Sequence, residues 1–429
     1  MDKRANVQIG ETLYTGRLAS GLTIAVVRRP GMKKVFGTFA THYGSIDNTF
    51  VVPGASKVTD VPDGIAHFLE HKMFEKEDGG DVFNDFAALG ASSNAYTDYT
   101  STTFLFSTTG HVSENLEILL DFVQRPYFTP ENVEKEKGII EQEIRMYLDM
   151  PGDRLHSNLM EALYVHHPVR LDIAGSVESI RTITPDMLYE CYRTFYHPSN
   201  MVVFVTGDVD PEAIFAQVQK NQETKGFENQ TEITRIVPEE PIGVKKPRVE
   251  QRMAVAAPLF MMGFKDNAVG ETGPALLKRE IVMGLMWQML LGKSSATYAE
   301  LYRQGLINDR FQARYSGGIT YGMSALGGET MEPDRLQKTL EARLPQADMV
   351  SEDLERLKKK EMGEIIGLFQ SPEDLGYVFN TMHFRQIDLL SYLDILASVT
   401  IHDVEQARDG HLGESARSVS LILPLEHPK

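Results

Sequence analysis

The sequence contains a single cysteine, Cys191, so one chain cannot form an internal disulfide bond. It also lacks an apolar run long enough to cross a bilayer, because the longest one, residues 281–291, suits a buried helix instead. Residues 1–8 contain no apolar run either, and we therefore expect no secretory signal. A lone cysteine is typical of a reducing compartment, and these absences together predict a cytoplasmic protein without a membrane partner.

Basic residues are outnumbered by acidic ones, with 43 lysines and arginines, 60 aspartates and glutamates, and a net charge of −17. This excess of negative charge argues against binding to nucleic acid or to anionic membranes. An enclosed acidic surface would favour basic peptides, although a solvated acidic exterior is the simpler explanation. With 42% hydrophobic and 24% charged residues, the 429-residue chain has the composition of a globular protein with at least two domains.

One short stretch carries a pattern typical of zinc hydrolases: His67 and His71 are four residues apart, and Glu70 lies between them. On a helix, the two histidines lie about 40° apart around the axis, and Glu70 lies about 60° to the other side of His67. One helix face would then present two imidazole ligands with a carboxylate base beside them. The order His-x-x-Glu-His is the inverzincin signature. We expect Asp63 to cap this helix. The alternative is a solvated helix with two surface histidines.

A second helix, predicted over residues 131–150, carries two glutamates whose helical phase matches its apolar face. Glu143 lies within about 20° of Glu136 around the axis, whereas Glu141 lies about 140° away and should face solvent. The apolar residues that share the phase of Glu136 are Ile139, Ile140, Ile144, Met146 and Tyr147. Carboxylates on a buried face need a cation. A zinc ion held by the two histidines would supply it, with Glu143 as third ligand and Glu136 in support. The alternative is that both glutamates pair with buried arginines.

Between these helices, residues 90–106 are rich in threonine and aromatic residues, a composition that predicts a strand. If the strand lay at a sheet edge beside the zinc site, an extended peptide could pair with it as one more strand. An ordinary strand inside the sheet is an equally good interpretation.

The rest of the chain predicts a second domain of similar organisation. A first domain, residues 1–226, would end near a helix at residues 210–225. Residues 227–249 are polar and contain prolines, which is the composition of a linker. A second domain, residues 250–429, would repeat the strands and helices without a second His-x-x-Glu-His.

Four stretches carry a resemblance to one family. They are His67-Phe68-Leu69-Glu70-His71, Asn94-Ala95-Tyr96-Thr97, residues 136–143 and Tyr196-His197-Pro198-Ser199-Asn200-Met201. Together they resemble the pitrilysin/insulinase family of zinc metallopeptidases. Within that family, the chain is similar to the short bacterial members that look like subunits of the mitochondrial processing peptidase.

The resemblance implies an α+β fold of two related α/β halves, each an antiparallel or mixed sheet with helices packed on one face. It implies one Zn²⁺ per chain, with His67, His71 and Glu143 as ligands, Glu70 as general base and Glu136 as supporting carboxylate. The substrate-binding residues that it implies are Phe68, Asn94, Ala95 and Tyr96. Two such chains close like a clamshell around an unfolded peptide substrate.

One family feature is missing from its usual place. Active members carry an arginine and a tyrosine seven residues apart in the second half, where the pair grips the substrate carbonyl. Here Asn308 stands near the position of the tyrosine, and Arg314 with Tyr321 have the right separation in the wrong register. We interpret that spacing as coincidence. We therefore predict a zinc-dependent endopeptidase that forms a heterodimer or homodimer with a homologous chain. A heterodimer partner could supply the pair, whereas a homodimer would have to work without it. The alternative is a non-catalytic or weakly active peptide-binding subunit.

Overall fold

The computed structural model describes residues 1–6, 10–228, 230 and 232–426, and the backbone divides into two compact units. Unit 1 comprises Met1–Ile144, Asp172–Ile236 and Ile366–Phe384, and unit 2 comprises Arg145–Leu171, Val237–Ile365 and Arg385–Lys429. Each unit is therefore built from three segments that are separate in the sequence. The domain boundaries predicted at residues 226 and 250 stay predictions, and two residues of the predicted linker, 229 and 231, lie outside the described residues.

Runs of strands and runs of helices follow one another along the chain, and the elements are numbered in chain order. The strands are β1 (Asp2–Asn6), β2 (Glu11–Arg17), β3 (Thr23–Arg28), β4 (Val35–Thr41), β5 (Thr49–Val51), β6 (Val58–Asp60), β7 (Ser92–Thr97), β8 (Thr102–Thr108), β9 (Met201–Gly207), β10 (Thr234–Arg235), β11 (Arg248–Met253), β12 (Leu259–Lys265), β13 (Gln312–Gly317), β14 (Gly322–Glu329) and β15 (Arg417–Pro424). The α-helices are α1 (Ile65–Lys72), α2 (Val82–Ala88), α3 (Val112–Phe122), α4 (Pro130–Leu148), α5 (Pro151–Leu163), α6 (Val177–Arg181), α7 (Pro185–Phe195), α8 (Pro211–Lys225), α9 (Gly273–Leu291), α10 (Ala296–Arg303), α11 (Pro333–Arg343), α12 (Ser351–Leu368), α13 (Pro372–Phe384), α14 (Tyr392–Ser398) and α15 (Ile401–His411).

Unit 1 is built on a seven-stranded mixed sheet with the strand order β1-β2-β3-β9-β4-β8-β7. β3 runs parallel to β9, and the other neighbouring strands are antiparallel. Every residue of β4 and β9 is buried, as expected for central strands covered on both faces. β7 is the outermost strand on its side of the sheet, beside β8.

Residues 90–106, predicted as one strand, contain two, because the chain reverses direction between Thr97 and Thr102. The carboxylate of Asp98 stabilises the turn by accepting hydrogen bonds from the backbone N–H groups of Thr100, at 2.6 Å, and Ser101, at 2.7 Å. The reversal places β7 at the edge of the sheet. Of the two interpretations, an edge strand and a strand inside the sheet, β7 is therefore the first.

Unit 2 contains a five-stranded mixed sheet with the order β11-β15-β12-β14-β13. Its first strand, β11, runs parallel to its last, β15, and an antiparallel hairpin, β13–β14, forms one edge. The strands β3-β9-β4-β8-β7 of unit 1 follow the same order and directions. The predicted α+β fold of two related halves with mixed sheets is therefore confirmed.

The apolar run at residues 281–291 forms the second half of α9 and is largely buried in unit 2, as predicted. The indole N–H of Trp287 in this helix donates a hydrogen bond to Ser324 at 2.6 Å, so its polar atom is satisfied inside the core. Among the helices of the described residues, none has both the length and the apolar character needed to cross a bilayer.

A partly buried ion pair lies in unit 2. Glu240 accepts hydrogen bonds from the backbone N–H groups of Val165, His166 and His167 at 2.8–2.9 Å, and its carboxylate lies 3.0 Å from the ammonium of buried Lys265. Burial raises the pKa of Glu240, but these four donors lower it more, to about 2. Glu240 lies in the predicted linker, so part of that stretch is fixed by specific polar contacts.

Candidate metal centre

The His-x-x-Glu-His stretch forms α1, an eight-residue helix of unit 1. Its apolar residues are buried in the core of the unit: Ile65, Ala66, Phe68 and Leu69. The side chain of His67 is only 12% exposed, which excludes the solvated-helix alternative. Phe68 has no exposed surface, so it cannot contact a substrate, which corrects its predicted substrate-binding role.

The start of α1 differs from the prediction, since Gly64 rather than Asp63 occupies the N-cap position. Gly64 adopts φ 86°, and a Cβ atom there would lie 2.3 Å from the carbonyl oxygen of Ala174. Only glycine fits this left-handed, tightly packed position. The side chain of Asp63 instead accepts a hydrogen bond from Asn48. The helix therefore begins at a glycine that the packing against residue 174 requires, without an acidic cap.

His67, His71 and Glu143 converge in unit 1, and their potential ligand atoms all lie within 4.8 Å of one another. Nε2 of His67 is 3.8 Å from Oε1 of Glu143, and Nε2 of His71 is 3.5 Å from Oε2 of the same carboxylate. Tetrahedral zinc, with bonds of about 2.0–2.1 Å, holds neighbouring ligand atoms about 3.3 Å apart. The two distances to the carboxylate of Glu143 are somewhat longer than this value, so small side-chain movements would let the three residues hold a zinc ion.

Burial and neighbouring carboxylates shift the pKa values of the two histidines in opposite directions. Burial lowers the pKa of His67 to about 3, so its imidazole is neutral. Nδ1 of His71 lies 3.0 Å from Oε1 of Glu136, and this hydrogen bond directs Nε2 towards Glu143. Burial alone would lower the pKa of His71, but the Glu136 hydrogen bond and three nearby carboxylates raise it above its ordinary value. The same carboxylates would attract a divalent cation.

Glu70 lies beside the three candidate ligands and is only 8% exposed. Burial raises its pKa, although a hydrogen bond donated by the hydroxyl of Thr97 at 2.6 Å opposes the shift. Thr97 is the last residue of the edge strand β7, so it fixes the carboxylate of Glu70 relative to that strand. A carboxylate with a raised pKa beside a metal site is suited to accept and return a proton.

An open cavity of about 430 Å³ joins the candidate site to the edge strand. Glu70, His71 and Glu136 line it together with Asn94 and Ala95 of β7. The third predicted substrate-binding residue of β7, Tyr96, packs against Tyr377 of α13, with ring centroids 5.2 Å apart. A larger cavity of about 800 Å³ in the same unit contains none of the three candidate ligands. The smaller cavity is therefore the one that suits a peptide lying along β7.

Helix α4 has a narrower buried face than its sequence predicts. Ile140 and Ile144 are buried, whereas Ile139, Met146 and Tyr147 are exposed. Ile139 lines the cavity beside Glu136 rather than the core, which explains why apolar residues and carboxylates share one helical phase. The apolar face that shares the phase of Glu136 is therefore only partly buried, which corrects the prediction of a buried face.

Glu141 points away from the candidate ligands, as its helical phase predicts, but it does not simply face solvent. Its side chain is 23% exposed, and that of Glu143 is 24% exposed. Arg181 of α6 lies 2.9 Å from the carboxylate of Glu141. Helical phase predicts the direction in which the Glu141 side chain points. It cannot predict the pairing with Arg181, which lies 40 residues away in the sequence and is brought close only by tertiary folding.

Two polar residues of the site were not identified from the sequence, namely Lys72 and Thr97. Lys72 is completely buried, and its ammonium lies 3.8 Å from Oε2 of Glu136. A signal for Lys72 exists, because it shares the buried phase of Ile65 and Leu69 in α1. The alternative prediction paired both glutamates with buried arginines. For Glu136, the buried cation nearby is a lysine instead.

The residues considered for substrate carbonyl binding lie in unit 2. Arg314 is an exposed residue of the edge strand β13, whereas Tyr321 is 5% exposed and packs against the ring of His167 at 5.8 Å. Asn308 donates a hydrogen bond to Glu329 at 3.1 Å. That the spacing of Arg314 and Tyr321 is a coincidence stays a prediction.

Comparison with known proteins gives consistent matches along the chain. Residues 50–177 match the family described as Insulinase (Peptidase family M16), and residues 182–361 match the Peptidase M16 inactive domain. The chain is 45% identical to "Uncharacterized zinc protease YmfH" of Bacillus subtilis (strain 168), over 97% of this chain and 98% of that protein. It is 23% identical to "Probable mitochondrial-processing peptidase subunit beta, mitochondrial" of Arabidopsis thaliana, over 87% of this chain and 73% of that protein.

A solved structure supports the same relationship. The "Crystal structure of putative M16-like peptidase from Alicyclobacillus acidocaldarius" superimposes with a TM-score of 0.93 and 39% identity, covering 97% of this chain and 99% of that chain. The His-x-x-Glu-His motif and Glu143 lie within the segment that matches the first family description. The resemblance inferred from the motifs is therefore confirmed, and the chain belongs to the insulinase family, peptidase family M16.

Proposed function

We propose that this protein is a zinc-dependent endopeptidase that cleaves extended peptides or unfolded segments. The observation that carries the proposal is the convergence of His67, His71 and Glu143, with Glu70 buried beside them and outside the ligand set. Three protein ligands with a separate base are the arrangement of a catalytic rather than a structural zinc site. The relatives that are named zinc proteases agree with this assignment.

Each residue has a distinct role in the proposed reaction. Bound zinc, held by His67, His71 and Glu143, would supply a Lewis acid that lowers the pKa of the attacking water. Glu70 would accept the proton of that water and then deliver it to the leaving amine. The Thr97 hydroxyl, 2.6 Å from Glu70, would keep the carboxylate oriented during both transfers.

The edge strand β7 would hold the substrate. In the described part of the chain, β7 is the edge strand of the sheet and pairs with β8 on one side only. Asn94 and Ala95 of this strand line the same cavity as Glu70 and His71. A peptide that pairs with β7 through backbone hydrogen bonds would lie next to the catalytic carboxylate in an extended form. Backbone pairing requires an unfolded segment and places few demands on its sequence, so folded proteins would resist cleavage.

We further propose that a homologous chain completes the active site. The zinc half of the chemistry is complete in this chain, but the arginine and tyrosine expected in the second half are missing from their register. Electrostatic stabilisation of the developing oxyanion is often worth a factor of about 100 to 1000 in rate. A heterodimer could import the pair from a chain that has lost its own zinc motif, whereas a homodimer would work slowly without it.

The alternative function is a peptide-binding subunit with little activity of its own. The missing arginine and tyrosine favour it, while the complete ligand set argues against it. Metal analysis and cleavage of a quenched unstructured peptide, each with and without a chelator, separate these functions. We expect about one zinc per chain after reconstitution at neutral pH and cleavage that chelation abolishes. Absence of zinc binding would refute both the site and the proposed enzyme.

A further inference from the structure

We propose that Lys72 is a positioning residue for the metal ligand His71 and acts through Glu136. The inference rests on the proposed zinc site and assigns a role to a residue outside the ligand set. Lys72 is the last residue of α1, directly after His71, and its side chain is completely buried. An ammonium group removed from water is costly unless anionic groups meet it. The identity of those anionic groups carries the inference.

Two carboxylates meet the ammonium of Lys72. One belongs to Glu75, three residues further along the chain, which accepts a hydrogen bond from Lys72 and whose side chain is 30% exposed. The other belongs to Glu136 of α4, whose side chain is 12% exposed, with Oε2 3.8 Å from Nζ of Lys72. Since Glu75 has access to water and Glu136 has little, Glu136 depends more on Lys72 for compensation of its charge.

The two oxygens of Glu136 serve different partners. Oε2 faces Lys72, and Oε1 lies 3.0 Å from Nδ1 of His71. A hydrogen bond to the outer nitrogen of a metal-binding histidine fixes its tautomer and the orientation of its ring. Lys72 therefore holds the carboxylate that orients His71, and Nε2 of His71 faces Glu143 as a consequence.

Charge balance at the site gives the same assignment. Three carboxylates, those of Glu70, Glu136 and Glu143, lie close to His71. A divalent ion would compensate only two of these negative charges. The buried ammonium of Lys72, shared between Glu75 and Glu136, would compensate part of the third. Without it, Glu136 would be an uncompensated buried anion and would no longer be held against His71.

The test compares the zinc affinities of two lysine variants by competition with a chromogenic chelator. Loss of a residue that supports a metal ligand typically weakens binding by about 10- to 100-fold, and we expect this loss for Lys72→Met. The matched control is Lys76→Met, which removes a partly exposed lysine paired with Asp85 at 3.2 Å and should change affinity less than about twofold. A folded Lys72→Met protein with wild-type zinc affinity would overturn the inference.

A comparison of two Glu136 variants keeps the inference testable if Lys72→Met alone does not fold. The variant Lys72→Met/Glu136→Gln removes both charges of the pair, so no buried carboxylate is left uncompensated by the lysine. If Lys72 acts through Glu136, this variant and Glu136→Gln should bind zinc with the same affinity. A further loss of about tenfold or more in the double variant would contradict the assignment. Failure of the wild-type chain to bind zinc would instead refute the proposed function, and the inference would fall with it.

Discussion

Replacement of Glu143 by glutamine tests the third ligand of the proposed zinc site. The carboxylate faces Nε2 of both His67 and His71, at 3.8 and 3.5 Å, and an amide keeps its shape while removing its charge. Even residues that only support a ligand affect metal affinity by about 10- to 100-fold. We therefore expect Glu143→Gln to weaken zinc binding by at least about 100-fold, which corresponds to about 2.7 kcal/mol.

Glu141→Gln is the matched control, because it makes the same chemical change two residues away on the same helix. Glu141 and Glu143 are equally accessible, with 23% and 24% of their side chains exposed, so accessibility does not distinguish them. Glu141 pairs with Arg181, whose side chain is 61% exposed, and a surface pair of this kind contributes about 0–1 kcal/mol. We expect the control to bind zinc with wild-type affinity.

The assay is a chelator competition titration, supported by unfolding measurements in the presence of zinc. A free zinc concentration of about 100 times the wild-type Kd should stabilise the wild-type protein by about 2.7 kcal/mol. At the same zinc concentration, Glu143→Gln should gain only about 0.4 kcal/mol. Equal losses of affinity in both variants would show that the ligand assignment on α4 is wrong. Wild-type affinity in Glu143→Gln would remove Glu143 from the ligand set.

Three further outcomes are expected. Glu70→Gln should retain zinc but lose peptide cleavage, because the base is not a ligand; loss of zinc as complete as in His67→Ala would make Glu70 a ligand instead. Glu240→Gln should destabilise the protein to urea by about 2–3 kcal/mol at pH 7. Because the pKa of Glu240 falls from 4.5 to about 2 on folding, its contribution exists above pH 4.5 and is lost towards pH 2, so a difference that stays constant down to pH 3 would contradict the ion-pair argument. Finally, the isolated chain should cleave unstructured peptides slowly, and Arg314→Ala/Tyr321→Phe should not change that rate; robust turnover that collapses in this variant would show that the pair acts in catalysis without a partner chain.

Short-range periodicity accounts for what the sequence predicted well. The spacing of His67, Glu70 and His71 places them on one side of a helix in any fold, because 3.6 residues make one turn. The same periodicity brought Glu136 and Glu143 to one side of α4 and turned Glu141 away from it. The threonine-rich composition of residues 90–106 predicted extended structure there, and the motifs predicted the family. These features depend only on neighbours within a few turns of the chain.

Contacts between distant segments account for what was missed. Gly64 begins α1 because a backbone carbonyl at residue 174 leaves no room for a Cβ atom, and no local cap signal reports that packing. Ile139 is exposed although it shares the phase of its buried neighbours, because the adjoining surface is a cavity rather than core.

The sequence by itself determined the fold class, the family and the face of each helix that bears the candidate ligands. Only the tertiary structure decided that α1, β7 and α4 meet at one cavity, and that Lys72 and Thr97 hold the carboxylates there. The physical reason is that helical and strand periods fix the direction of a side chain within its own element. The partner that a buried charge meets is set by the packing of elements far apart in the chain, and this packing pairs Lys72 with Glu136, 64 residues away.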